Sequence, residues 1–111
     1  MQNQNKVVGR FFFKRTDNEN LIGEFSNNCG KKISTESADL MEDHPHDGFI
    51  GTYHSTWQEG GEALFAELKI SSKGGSNKLF RLEWRRDGNL IFEGEGMRMD
   101  GVLIGDYHQS V

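Results

Sequence analysis

The feature that most constrains this chain is alternation with a period of two, repeatedly cut by glycine-bearing turn signals. Leu64, Ala66, Leu68 and Ile70 oppose Phe65, Glu67 and Lys69. Phe80, Leu82 and Trp84 likewise oppose Arg81, Glu83 and Arg85. Side chains of a β-strand point alternately to opposite faces, so each run has one apolar and one polar face. The spacing predicts eight strands: Lys6–Lys14, Leu21–Asn27, Lys32–Glu36, Gly48–Trp57, Ala63–Ile70, Lys78–Arg86, Leu90–Met99 and Val102–Ser110. With 14 glycines and one proline, the chain suits short strands and tight turns better than helices.

Short connections fix how these strands pair. Asp100-Gly101 is a two-residue hairpin signal, and Asp87-Gly88-Asn89, Glu59-Gly60-Gly61 and Lys73 to Asn77 mark further turns. Strands joined so closely are antiparallel neighbours, because parallel pairing needs long crossovers. The exception is Ser37 to Asp47, read as one long connection with a helical turn around Ala38-Asp39-Leu40-Met41. Closing eight strands removes both exposed edges and leaves an interior for packed side chains or one small ligand. The expected fold is therefore all-β, an eight-stranded antiparallel up-and-down β-barrel over residues 6–111, preceded by a disordered tail at 1–5. An eight-stranded sandwich is the alternative. Glycines on the inward faces (Gly23, Gly51, Gly94, Gly96) are expected to relieve crowding where the small barrel bends.

Charge and special residues narrow the function classes. A net charge of −4 counts against nucleic-acid binding, and Lys78, Arg81, Arg85 and Arg86 read as a solvated strand face interrupted by Glu83. No segment approaches the ~18 apolar residues of a membrane helix. Residues 1–6 lack the apolar core of a signal peptide, so a soluble cytoplasmic protein without a membrane partner is expected. Cys29 is expected to be a buried, inert thiol. Glu93 with Glu95, and Asp106 with His108, read as solvated pairs rather than catalytic ones, so no enzyme and no cofactor are expected. His44-Pro45-His46-Asp47 offers two histidines and an acid without further metal ligands at known spacing.

Several blocks resemble the avidin and streptavidin family. Leu21-Ile-Gly-Glu-Phe-Ser-Asn-Asn-Cys-Gly-Lys-Lys-Ile33 resembles its opening strand and turn, and Gly51-Thr-Tyr-His-Ser55 a following strand. Phe80 to Trp84, Ile91 to Gly94 and Asp106-Tyr107 resemble later strands. The resemblance implies a ligand pocket at a barrel mouth. Asn27 and Tyr53 match positions that hold the ureido ring of biotin, and Ser55 matches a hydroxyl on the ring's other side. Trp57, Trp84, Phe92 and Tyr107 are the expected aromatic walls. Lys31 stands where the family has a serine, and Asp87 to Leu90 lacks the family's hydroxyl-bearing turn. The expected ligand is therefore not biotin but an anionic or partly apolar small molecule. The family's closing strand follows its second tryptophan, whereas here Lys6–Lys14 is the candidate closing strand, as in a circularly permuted connection.

Two other functions fit the same fold. One is a filled barrel serving protein interaction, and the other is a lipocalin-like carrier of an apolar ligand without a polar anchor. If Phe92 and Tyr107 point inward, Ile91, Met97, Met99, Val102 and Ile104 form an outward apolar band. That band, and the flat-walled contacts the resemblance implies, predict a homodimer or homotetramer.

Overall fold

A computed structural model describes residues 6–41 and 48–110 of the chain. The described residues form eight strands and no helix: β1 (Val8–Arg15), β2 (Leu21–Asn27), β3 (Ser34–Leu40), β4 (Gly51–Glu59), β5 (Glu62–Ser72), β6 (Leu79–Arg86), β7 (Asn89–Met99) and β8 (Val102–Gln109). All neighbours are antiparallel, and the order β1 to β8 closes into a barrel. The expected tail at 1–5 and the His44, His46 and Asp47 group lie outside the described residues.

Closure depends on β1. Its Phe11 lies opposite Phe25 of β2 and Gly105 of β8, so one strand joins the two ends of the sheet. Lys6–Lys14, the closing candidate of the sequence, contains β1 up to Lys14, which pairs with both edges in that position. The alternation also sets the core. Phe11, Phe13, Leu21, Ala38, Leu68, Ile70, Leu82 and Leu103 are all buried on inward faces.

Two parts of the sequence reading require correction. Ser37–Leu40 is not loop or helical turn but the second half of β3. Ala38 is fully buried and lies opposite both Leu21 and Ser55, so a helix here would leave the edges of β2 and β4 unpaired. In β7, Trp84 faces Phe92 while Arg85 faces Leu90, which makes Ile91 the extra residue of a β-bulge. Ile91 is consequently half-buried against the core rather than part of an outward band.

The two ends of the barrel differ. At one end Phe49 folds over the interior, buried and edge-on to Phe80 at 6.2 Å. The Tyr53 hydroxyl donates to the Phe49 carbonyl at 2.9 Å and pins this plug. The opposite end carries the β2–β3 turn and the β4–β5 and β6–β7 hairpins. There the core gives way to a cavity.

Candidate binding site at the open mouth

The cavity grows out of five inward positions on β3, β4, β6, β7 and β8. Glu36 of β3 lies opposite Trp57 of β4, and Trp84 of β6 lies opposite Phe92 of β7. Tyr107 of β8 follows beside Gly94. Alternation delivers each of these side chains to the interior near the same rim. The rings then lock by edge contacts: Phe92 meets Trp57 at 6.4 Å and Tyr107 at 5.6 Å, and Phe25 meets Tyr107 at 6.2 Å. Together they leave a cavity of about 60 Å³. A drug-sized ligand generally needs ~300–1,000 Å³, so this space suits a small head group. A wider depression of about 550 Å³ shares Phe25, Asn27 and Glu59 with it and extends between the β2–β3 turn and the β4–β5 hairpin.

Among the described residues, Glu36 is the one acidic side chain in the core, with 5 % of its surface exposed. The Ser55 hydroxyl and the Trp84 indole N–H both donate to its Oε2, the latter at 2.8 Å. Its Oε1 has no hydrogen-bond partner among the described residues. Burial disfavours the charged carboxylate and pushes its pKa from 4.5 up to about 7, despite the two donors that oppose the shift. Since both donors use Oε2, Oε1 is the acid's variable atom. It accepts when Glu36 is ionised and can carry the proton when Glu36 is neutral.

The remaining polar groups lie nearer the rim. Asn27 donates from Nδ2 to the Tyr107 hydroxyl at 2.9 Å, while its Oδ1 accepts the Cys29 N–H at 2.9 Å. Burial pushes the Tyr107 phenol above its usual value, so it is a neutral group at physiological pH. Glu59, exposed at the mouth, accepts from the Trp57 indole N–H at 3.2 Å.

Of the site residues expected from sequence, Asn27, Trp57, Trp84, Phe92 and Tyr107 all line the cavity. Ser55 does not; it is fully buried and acts on the cavity only through Glu36. Tyr53 belongs to the opposite, plugged end. Lys31 is exposed and borders only the outer depression, because a lysine ammonium stays in water unless a partner offsets its burial. Cys29 is exposed rather than buried, carried on the turn beyond β2. Sequence reasoning missed Glu36 and Glu59. Ser34-Thr35-Glu36-Ser37 is polar on both faces, so it offered no apolar stripe to show which side faced inward.

On the outer wall Arg81 and Arg85 are paired with acids. Arg81 contacts Glu93 at 3.0 Å and Glu83 at 3.6 Å, and Arg85 contacts Glu83 at 3.4 Å. Among the described residues, no group of three or more His, Cys, Asp or Glu is placed to hold a metal ion. No helix is long and apolar enough to cross a membrane. No family model, curated protein or solved structure matches the chain.

Proposed function

We propose that this chain is a small-molecule binding protein whose ligand enters the open mouth of the barrel. The observation that carries the reading is the asymmetry of the interior. One end is plugged by Phe49 and Tyr53, while the other keeps an aromatic-walled cavity whose floor holds a carboxylate oxygen without a partner among the described residues. Filled cores do not generally leave a buried polar atom unpaired, because an unmade hydrogen bond there costs about 1–3 kcal/mol. This polar floor favours the reading over a carrier of purely apolar ligands. Ser55 bonds to Glu36 and is fully buried, so its hydroxyl is no accessible nucleophile, and binding without turnover is the role proposed. The avidin-like resemblance matches this mouth at Asn27, Trp57, Trp84, Phe92 and Tyr107, whereas Tyr53, its other expected ring contact, lies at the plugged end.

The chain has two tryptophans, Trp57 and Trp84, and both line the cavity. Intrinsic fluorescence therefore reports on the site directly. Titration with a panel of cationic, neutral and anionic fragments is expected to give saturable spectral changes with at least one class. A response to none of them would defeat the reading and favour a barrel that serves only as a packed scaffold.

Self-association is a second role, favoured by a separate observation. Leu79, Met97, Ile104 and Phe12 lie side by side across β6, β7, β8 and β1, and all four are exposed. Met99 and the half-buried Val102 extend the strip. Such a continuous apolar row is suited to meet a second copy through flat barrel walls. Sedimentation velocity at micromolar concentration is expected to show a species larger than the 12.6 kDa monomer. Ile104→Lys is expected to return it to monomer; a wild-type monomer would exclude this role.

A further inference from the structure

We infer that the mouth selects a cationic nitrogen head group, an alkylammonium or guanidinium, which is held by Glu36 Oε1 at the base of an aromatic cage. The inference rests on the binding role proposed above and names the ligand class.

Three properties of the cavity converge on a cation. The first is the acceptor. Glu36 is only 5 % exposed, it lines the cavity, and its Oε1 has no partner among the described residues. An ionised carboxylate in such surroundings is costly unless a positive group or further donors reach it. Ser55 and Trp84 serve one oxygen only, and no lysine or arginine contacts the other among the described residues. A ligand N⁺–H donor supplies both the missing charge and the missing hydrogen bond.

The second property is the wall. Trp57, Trp84, Phe92 and Tyr107 offer ring faces and edges around a space fit for a small head group. Aromatic faces attract cations through their quadrupole, most strongly where water is excluded. The outer part of this wall already receives one: the Arg86 guanidinium lies 6.0 Å from the Trp57 ring centroid. Arg86 itself is held outside, donating to the Phe65 carbonyl at 2.9 Å and lying over the Phe65 ring.

The third property is the field. The other titratable groups in the lining are Glu59, which adds a second negative charge, and Tyr107, which is a neutral hydroxyl at physiological pH. Cys29 lies beyond Asn27 on the turn, and Lys31 and Lys32 border only the outer depression. An anionic ligand, the expectation raised by Lys31, would meet two carboxylates at the cavity. The lysines are better placed to attract an acidic tail of the same molecule in the outer depression. The size of the cavity sets the remaining limit. The head group must be small, and any apolar or polar remainder must lie outward.

Three probes of equal length and different charge test the assignment: n-butylammonium, 1-butanol and butyrate. They are titrated into the full chain by tryptophan fluorescence and calorimetry. At about pH 8 butylammonium is expected to bind, with 1-butanol and butyrate about ten- to a hundredfold weaker, the range of one charge-assisted hydrogen bond. Because Glu36 ionises near 7, butylammonium binding is expected to weaken as the pH falls to about 5.5, where the alkylammonium itself is unchanged. Glu36→Gln, with its fold verified by near-ultraviolet circular dichroism, is expected to abolish both the charge preference and the pH dependence. Glu59→Gln is expected to weaken butylammonium by a smaller factor.

Equal or tighter binding of 1-butanol or butyrate overturns the cation assignment while leaving the mouth a binding site. Binding of butylammonium that ignores pH and survives Glu36→Gln overturns it as well. Failure of all three probes overturns the assignment, and failure of the wider fragment panel too overturns the binding role itself. The pH series uses the wild-type chain, so the result stands even if the variant does not fold.

Discussion

At the scale of single residues, Glu36 links the site to the pH dependence of folding. Its carboxyl has a native pKa of about 7 against an ordinary 4.5. The native state therefore holds this proton more tightly than the unfolded chain does. Stability from this group is fully present below about pH 4.5, falls through the window from there to about 7, and is lost above it. The difference amounts to about 3 kcal/mol between the two limits. Urea denaturation at about pH 5 and pH 8 is expected to show a wild-type stability loss of this order attributable to Glu36. Glu36→Gln, neutral at every pH and still able to accept from Ser55 and Trp84, is expected to flatten that part of the profile. An unchanged pH profile in the variant would mean that Glu36 is not the titrating group. This residue was also the least legible in the sequence. Trp57, Trp84, Phe92 and Tyr107 stood out because strand alternation placed large rings on one face, whereas Glu36 lay in a polar stretch whose facing is set only by pairing with β2 and β4.

At the scale of elements, turn chemistry and strand parity made most of the barrel readable, and long-range pairing accounts for what they did not show. Asp100-Gly101 and Asp87-Gly88 both have positive φ at both positions, as their hairpins require. No such local code existed for the second half of β3, which is a strand because its neighbours need edges, nor for the bulge at Ile91. Two glycines separate the local from the non-local cause. Gly101 has φ 79° and open space around it, so Gly101→Ala is expected to cost about 1–2 kcal/mol through backbone strain alone. Gly94 faces inward, and an added Cβ would lie 2.3 Å from the Asp106 carbonyl oxygen and 3.0 Å from the Tyr107 Cα. These are backbone atoms of the adjoining strand, so Gly94→Ala is expected to cost about 1–3 kcal/mol by overpacking and to push β8 outward. Thermal denaturation measures both costs. Only Gly94→Ala is expected to change tryptophan emission as well, because Tyr107 packs against Trp84 at 5.9 Å. Equal, silent effects from the two variants would show that inward crowding does not shape this wall.

At the scale of the whole molecule, the barrel depends on which strands meet rather than on the order in which the chain supplies them. β1 comes first, yet it lies between β2 and β8 and contributes Phe11 and Phe13 to the core. Val7, just before it, lies beside the end of β8: the Gln109 N–H donates to the Val7 carbonyl at 2.8 Å, and the Gln109 side chain accepts the Val7 N–H at 3.1 Å. A short linker from the end of β8 to the start of β1 therefore bridges neighbouring backbone. The turn from Thr16 to Asn20 is a surface connection where new ends disturb no ladder beyond its own bonds. A circular permutant that begins at Leu21 and ends with β1 would place the closing strand last, the order that the sequence resemblance implies. It is expected to keep the same near-ultraviolet circular dichroism and to lose about 1–2 kcal/mol, since the core is conserved and only one turn is cut. It is also expected to keep the Trp57 and Trp84 emission, because the mouth lies at the end that is joined rather than the end that is opened. If β1 instead reaches its place only because its turn with β2 sets the register, the permutant will expose the β2 and β8 edges and aggregate. Soluble permutant with native spectra would show that closure is encoded in the inward faces of β1, Phe11 and Phe13 above all.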